Sequence, residues 1–227
     1  MISKNLFKLV IVRHGDRADC SNDPKIKALV ENECNTPLDP TKVNTINKTG
    51  ILLRKILSSK KTFDKIISSP YDRCVSTTLG LVGSTSDIEF NGNISEIMNS
   101  KLLKQNFSLV PPIIKNNLIN KFGISNDIVD NIVFPQGEET RGTGGCADAR
   151  FRSELNNIAL KSISEGLDNT LVVTHGDCLS SAMSFCNPNL YVYSVDYCGI
   201  VVLIFDKLTK KCSISFDECA GIGYMTD

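Results

Sequence analysis

The chain contains only two histidines, and both lie where chemistry would be placed in an α/β protein. His14 and His175 each follow a run of aliphatic residues and precede a glycine. A continuous aliphatic run predicts a strand buried on both faces, so each histidine falls at the carboxyl end of a strand. Ligands bind at that edge of an open α/β sheet. Two arginines, Arg13 and Arg17, accompany the first histidine.

A histidine between two arginines is suited to phosphoryl chemistry. Neutral imidazole is a nucleophile, and guanidinium groups pair bidentately with phosphoryl oxygens. Arg13 and Arg17 would lower the pKa of His14 and neutralise a phosphate at the same time. This is the charge stabilisation that phosphoryl transfer requires. The segment 13–17 therefore predicts a phosphate site with His14 as its nucleophile.

A third segment adds another arginine to this edge. Residues 68–78 read S-S-P-Y-D-R-C-V-S-T-T and follow a predicted strand at 65–68. Arg73 falls in the first turn of the next helix, where free backbone N–H groups favour anions. We expect Arg73 to lie beside His14.

The elements that must position these residues alternate along the chain. Predicted strands are 7–12, 65–68, 88–90, 171–174, an edge strand at 191–195, and a terminal hairpin of 200–205 and 212–216. Predicted helices are 25–31, 47–58, 70–82, 147–165 and 178–184, with a helical, polar-rich segment at 96–134 that is broken at Pro111-Pro112 and capped again at Ser125-Asn126. The alternation predicts an α/β domain with three layers, α/β/α, in which helices cover both faces of a mostly parallel central sheet. At 227 residues the chain fits a single domain, 1–227, with 96–134 as a helical cap or insertion beside the active edge.

Composition narrows the classes of partner and compartment. The chain is 41% hydrophobic, and its 25 basic residues balance 25 acidic ones, so no global charge favours nucleic acid or an anionic membrane. No stretch approaches the ~20 apolar residues of a membrane span. Nine cysteines without a C-x-x-C pair, and an amino terminus without a secretory signal, predict a cytoplasmic protein with reduced thiols. The cysteines have no metal-ligand spacing, and the glycines of 142–145 lack a nucleotide-binding pattern, so we expect neither metal nor cofactor.

Taken together, the motifs resemble those of a known superfamily. R-H-G after the first strand, S-S-P-x-x-R-x-x-x-T after the second and T-H-G after the fourth are similar to the histidine phosphatase superfamily, with the phosphoglycerate mutase-like fold. The match covers most of the chain in the family's order. The R-H-G-x-R version looks nearest to the phosphatase domain of the suppressor of T-cell-receptor signalling proteins.

The resemblance implies a role for each site residue. His14 would carry the phosphoryl group as a phosphohistidine. Arg13, Arg17, Arg73 and His175 would surround and bind that group. The family's proton donor is a glutamate shortly after the third strand, which corresponds to Glu96 here. Residues 137–140, ahead of 150–152, also resemble a family segment that opens the helix before the fourth predicted strand.

Other acids compete with Glu96 for the role of proton donor. Glu89 is nearby but lies within a predicted strand, and Asp16 follows the first histidine directly. Asp16 and Asp177 are expected to orient ring nitrogens or neighbouring backbone amides. Cys178 is expected to pack in the core rather than act as a nucleophile.

The leading hypothesis is a metal-independent phosphomonoesterase that works through a phosphohistidine intermediate. A cofactor-dependent phosphoglycerate mutase shares the first half of this reaction, but mutases typically follow R-H-G with Glu-Ser/Thr, whereas this chain has Asp16-Arg17. A non-catalytic regulator that binds a phospholigand is the alternative from another class. The expected partner is a small-molecule or peptide phosphomonoester, held in a pocket shaped by 19–41 and 101–134. The sequence is compatible with a homodimer and does not identify the substrate.

Overall fold

A mixed sheet of seven strands forms the centre of the protein. The structure, a computed structural model, describes residues 5–57, 62–84, 87–97, 110–135 and 145–226. The strands are β1 (Leu6–Arg13), β2 (Lys65–Ser68), β3 (Ile88–Phe90), β4 (Asn169–Thr174), β5 (Leu190–Asp206), β6 (Cys212–Ile214) and β7 (Ala220–Thr226). Their order is β3-β2-β4-β1-β5-β6, and β7 also pairs with β5. The first four strands of this order are parallel, and the pairings of β5 with β1, β6 and β7 are antiparallel.

Helices cover both faces of the sheet. They are α1 (Pro24–Lys27), α2 (Val43–Leu57), α3 (Asp72–Val82), α4 (Val110–Asn120), α5 (Asn126–Asp130), α6 (Cys146–Ser164) and α7 (Gly176–Cys186). Alternate residues of β1 point to opposite faces. Val10 and Val12 pack with α2, α3 and α4, whereas Leu9 and Ile11 pack with α6 and α7. The three-layer α/β/α fold predicted from the sequence is therefore confirmed.

The strand predictions were correct in the parallel half and incomplete in the antiparallel half. β2 and β3 have the predicted bounds, and β1 and β4 extend the predicted strands by one or two residues. β5 is a single strand that includes both 191–195 and 200–205, because an irregularity at 195–200 interrupts its pattern without ending it. β7 was missed, since its small and exposed residues carry no alternation of apolar and polar side chains.

Two proline-containing helix starts differ from the prediction. Pro111 and Pro112 lie in the first turn of α4 rather than at a break, because the N–H groups of a first turn have no partner within the helix and proline costs nothing there. Helix α3 begins at Asp72 with Tyr71 as its N-cap, so Pro70 precedes the helix. Helix α2 begins at Val43, earlier than predicted, after a turn in which the Asp39 carboxylate accepts from the N–H of Thr41.

The predicted cap, residues 96–134, is described in part. It contains α4 and α5, and its residues 98–109 lie outside the described residues.

One prediction about the cysteines was wrong. Cys186, the last residue of α7, and Cys212, the first of β6, form a disulfide with their Cα atoms 5.6 Å apart. The sequence gives no sign of this pair, because 26 positions separate the two cysteines and only the fold brings them together. None of the helices in the described ranges combines the length and the apolar character that a membrane span requires.

Candidate active site

The sheet order brings the predicted site residues to one edge. β4 lies between β1 and β2, with Arg13 opposite Thr174 and Ser68 opposite Val173 in the parallel registers. The next residue of each strand therefore emerges at the same end of the sheet. Those residues are His14, Ser69 and His175.

His14 is held as a neutral imidazole. It is 2% exposed, and its Nδ1 lies 2.8 Å from the carbonyl oxygen of Gly15. A carbonyl oxygen only accepts hydrogen bonds, so Nδ1 carries the proton and Nε2 keeps its lone pair. Burial and the charge of Arg73, with smaller effects of Arg13 and Arg17, hold the pKa of His14 well below its usual value of 6.5. This imidazole has the protonation state that a nucleophile needs.

His175 has the opposite tautomer. Its Nδ1 lies 3.1 Å from Nη2 of Arg73, and its Nε2 lies 2.9 Å from Oγ of Ser69. A guanidinium only donates, so Nδ1 accepts and the Nε2–H donates to Ser69. Burial and then the charge of Arg73 lower the pKa of His175 well below 6.5. The two imidazole rings lie 5.4 Å apart, centroid to centroid.

Arg73 is almost completely buried and faces the second histidine. Its side chain is 3% exposed, and its Nη2 lies 2.8 Å from Oε2 of Glu96. The guanidinium also lies over the ring of Tyr71, 4.8 Å from the centroid. Its buried Nε has no hydrogen-bond partner within the described part of the chain. An unpartnered donor on a buried cation is what an incoming phosphoryl oxygen could use.

Arg13, the residue before His14, has a similar environment. Its Nη1 donates to the carbonyl oxygen of Val195, and its guanidinium carbon lies 4.0 Å from the ring centroid of Tyr197. Gly176 borders the same group, since an added Cβ there would lie 3.1 Å from Nε of Arg13. Within the described ranges this Nε, too, is buried without a hydrogen-bond partner.

Arg17 is placed differently from the other two arginines. It pairs with both carboxylate oxygens of Asp19, at 2.9 and 2.5 Å. Burial alone would lower the pKa of Arg17, but the Asp19 carboxylate outweighs burial and the pKa is raised. Its charge still lowers the pKa of His14. The role of Arg17 in phosphate binding stays a prediction, and it would require the guanidinium to leave Asp19.

Glu96 lies at the site, and the turn that carries it is hydrogen-bonded to a side chain of α6. Its Oε2 is 3.8 Å from Nδ1 of His175, in addition to the contact with Arg73. Arg150 of α6 donates to the carbonyl oxygens of Asn93 and Glu96, the second at 3.4 Å. These bonds fix the backbone of the short turn that carries the carboxylate.

Of the competing acids, Glu89 pairs away from the histidines, whereas the role of Asp16 as proton donor stays a prediction. Glu89 is exposed on the edge strand β3 and pairs with Lys65 at 3.0 Å. Asp16 accepts from the N–H of Asp39 through its backbone carbonyl, and its charge acts on Cys198. Neither Asp16 nor Asp177 orients Nδ1 of His14 or the two ring nitrogens of His175, because a backbone carbonyl, a guanidinium and a hydroxyl occupy them. The other predicted role of the two acids, orienting neighbouring backbone amides, stays a prediction.

Two further predictions concern residues after His175. Burial raises the pKa of Cys178 to about 12, and its Sγ lies 3.6 Å from the carbonyl oxygen of Ser95, so the thiol is a packed group. Asp177 is half-buried, and burial together with the charge of Glu96 raises the pKa of its carboxyl to about 6.

Residues 137–140, which resembled a family segment, lie outside the described residues.

Sequence reasoning missed several groups that complete the site. Thr77 accepts from the N–H of Gly15 at 2.8 Å and donates to the carbonyl oxygen of Arg73 at 2.6 Å, so it ties the loop after β1 to α3. The ring of Tyr71 lies 5.2 Å from that of His175, and the ring of Tyr197 lies 5.8 Å from that of His14, centroid to centroid. Thr77 is the last residue of the motif S-S-P-x-x-R-x-x-x-T, but the sequence analysis assigned it no role. No sequence signal indicated Tyr197, because its position at the site depends on the irregularity in strand β5.

A cleft adjoins the site beside Glu96. It is small, with a volume of about 10 Å³, and is lined by Tyr71, Ser95, Val110, Pro111, Phe134, Pro135 and Arg150. Three of these residues belong to the segment 101–134 that was predicted to shape a pocket. In the described part of the chain the lining includes no residue of 19–41. No group of three or more His, Cys, Asp or Glu side chains in the described ranges could hold a metal ion.

Similarity to known proteins is found in structure rather than in sequence. Neither a protein-family model nor a curated protein sequence matches the chain. An ecdysone phosphate phosphatase from Bombix mori in complex with tungstate aligns over 94% of this chain and 93% of its own, with 16% identity and a TM-score of 0.63. A phosphoglycerate mutase from Bacillus anthracis str. Sterne aligns over 96% and 93%, with 15% identity and a TM-score of 0.59.

A third solved structure is a phosphoserine phosphatase mutant from Entamoeba histolytica, in complex with phosphoserine. It aligns over 92% of this chain and 95% of its own, with 15% identity and a TM-score of 0.54. The chain has the phosphoglycerate mutase-like fold that these solved structures share.

Proposed function

We propose that the protein is a metal-independent phosphomonoesterase that works through a phosphohistidine intermediate. The observation that carries the proposal is the state of His14. Its Nδ1–H is committed to Gly15, its pKa is depressed, and its Nε2 lone pair is left for attack on phosphorus. A buried imidazole beside two arginines with unpartnered Nε donors is arranged for an anionic electrophile.

Each remaining side chain has a chemical task in this proposal. Arg13 and Arg73 bind the phosphoryl oxygens and neutralise the charge that develops on them in the transition state. His175 is neutral, with its Nε2–H committed to Ser69, and it holds Arg73 in place through Nδ1. Glu96 protonates the leaving oxygen and then takes a proton from the water that cleaves the phosphohistidine.

Three of the structural neighbours support this reaction class by their names, since two are phosphatases and one is a mutase. The phosphatase reaction is favoured over the mutase reaction by the residues after R-H-G. Asp16 and Arg17 stand where mutases typically have Glu-Ser/Thr, and Arg17 is held by Asp19. The nearest resemblance, to the suppressor of T-cell-receptor signalling type, rests on this R-H-G-x-R motif alone.

The test is to trap the intermediate. Purified protein is mixed with ³²P-labelled phosphomonoesters, quenched in alkali, and divided between acid and base treatment. The label should be stable in base and labile in acid, and it should map to the peptide that contains His14. His14→Gln should remove the label, whereas Ser164→Ala, an exposed position at the last residue of α6, should leave it unchanged.

Several outcomes would contradict the proposal. A label on another residue would assign the nucleophile elsewhere, and phosphate binding without turnover of any phosphomonoester would favour the regulator. Transfer of the label to a phosphoglycerate at a rate above hydrolysis would favour the mutase. Loss of activity on chelation, with recovery on added zinc or magnesium, would overturn metal independence. A panel of phosphopeptides, sugar phosphates and nucleotides would then identify the substrate class.

A further inference from the structure

Strand β5 contains an irregularity directly beside the end of β1. Its register against β7 shifts between Val195 and Ile200, and Cys198 has a φ of 58°, which is uncommon for a residue other than glycine. The N–H of Cys198 donates to the carbonyl oxygen of His14 at 3.2 Å. A bulge of this kind redirects a side chain at a sheet edge. The side chain redirected here is Tyr197.

The ring of Tyr197 lies against the guanidinium of Arg13. The distance from the guanidinium carbon to the ring centroid is 4.0 Å, well within the range of a cation–π contact. Val195, two residues earlier on the same bulge, accepts from Nη1 of Arg13. One irregular segment thus supplies both the carbonyl and the aromatic face that hold this arginine.

An aromatic face has an advantage over a carboxylate as a partner for Arg13. It attracts the cation without using its N–H groups, so those donors stay available to a phosphoryl group. Arg17 shows the contrast, because Asp19 occupies its Nε and Nη2. The Tyr197 hydroxyl donates to Sγ of Cys20 at 3.5 Å, so it is turned towards the thiol and not towards the arginine.

We propose that Tyr197 is a positioning residue for phosphate binding, acting through Arg13. Its ring, together with the carbonyl of Val195, fixes the plane of the guanidinium, so that the remaining N–H groups are held ready for a phosphoryl group at His14. The inference rests on the proposed function, because it assigns to Tyr197 a part in binding the same phosphoryl group. The inference also goes beyond the proposed function, since the sequence motifs assign Tyr197 no role.

The experiment compares variants that keep or remove the ring. Tyr197→Phe retains the aromatic face and should keep kcat/KM and inorganic phosphate affinity within about two-fold of wild type. Tyr197→Leu should lower both on the order of ten-fold. Tyr197→Met also removes the ring, and it should show the same loss; it serves as a second test in case the Leu variant misfolds locally. Tyr193→Leu, an exposed tyrosine on the same strand, is the matched control and should leave both quantities unchanged.

A double-mutant cycle separates positioning from a general structural effect. In an Arg13→Ala background, Tyr197→Leu should cost no further phosphate affinity, measured by calorimetry, because the group through which it acts is gone. An equal cost in both backgrounds would overturn the inference, as would a Phe variant as impaired as the Leu variant. If the wild type neither hydrolyses phosphomonoesters nor binds phosphate, the proposed function itself fails. If the wild type does both and the Leu and Met variants match it, only the role of Tyr197 fails.

Discussion

Glu96 and Arg73 form an ion pair of 2.8 Å at the centre of the candidate site. The carboxylate therefore occupies one donor of a buried arginine that the proposed mechanism assigns to the phosphoryl group. Substrate and Glu96 compete for this donor, and Glu96 can serve as the acid only when its carboxyl group carries a proton, which the water that cleaves the phosphohistidine delivers in the preceding turnover. Removing the charge of Glu96 should have opposite effects on binding and on turnover.

Glu96→Gln should bind inorganic phosphate about three- to ten-fold more tightly, because the competing carboxylate is gone. Turnover of alkyl phosphates should fall strongly, since their alkoxide leaving group needs a proton. The loss should be milder for a nitrophenyl ester, unless hydrolysis of the phosphohistidine limits the rate. Glu89→Gln is the matched control and should change neither quantity. Equal alkyl ester rates for wild type and Glu96→Gln would remove Glu96 from the mechanism.

The two imidazoles should be neutral at pH 6 and should have opposite tautomers. His14 should carry its proton on Nδ1 and His175 on Nε2, because Gly15 and Arg73 dictate these states. Long-range ¹H–¹⁵N spectra can show this directly, since the chain has two histidines and each is assigned from the variant that lacks the other. Identical tautomers, or a charged ring at pH 6, would contradict the geometry.

The same pKa shifts predict how stability depends on pH. The folded-state pKa of His14 and of His175 lies below that of the unfolded chain, so the unfolded state binds more protons. The free energy of unfolding should therefore fall as pH drops below about 6.5. Urea unfolding at pH 7.5 and pH 5.5 checks the sign, and His14→Gln should reduce the slope. A slope unchanged by that substitution would show that His14 does not titrate on unfolding.

The three arginines should respond differently to lysine. Arg13→Lys and Arg73→Lys keep the charge but lose the planar fork, and we expect a loss of kcat/KM on the order of ten- to a thousand-fold. Arg17→Lys should cost only about two- to three-fold, because the Asp19 carboxylate already occupies Nε and Nη2 of Arg17. Similar losses at all three positions would mean that Arg17 leaves Asp19 and binds the substrate directly.

Asp177 should reduce stability at neutral pH. Its folded-state pKa is about 6 against 3.8 for an ordinary aspartate, so charging it in the folded protein is unfavourable. The penalty is absent below pH 3.8, grows as pH rises through 6 and is then complete. Asp177→Asn should therefore raise the free energy of unfolding by roughly 2 kcal/mol at pH 7.5 and by little at pH 4. Asp217→Asn, at an exposed position, serves as the control. A gain that does not depend on pH would contradict the electrostatic cause.

The sequence by itself determined the parallel half of the fold and the residues at its edge. Buried strands are continuous aliphatic runs, and the residue after each run is fixed in the chain, so His14, Arg73 and His175 could be predicted to converge. The spacing of Arg73 and Thr77 is likewise local, because one helical turn separates them.

Only the tertiary structure decided what surrounds these residues. The tautomers depend on which atoms meet each ring nitrogen, and the pairing of Glu96 with Arg73 depends on how the turn after β3 is held by Arg150. Arg17 pairs with Asp19, and Tyr197 reaches Arg13 only because β5 is irregular beside β1. These contacts join positions far apart in the chain, or select one of several local partners, and no periodicity in the sequence encodes that choice.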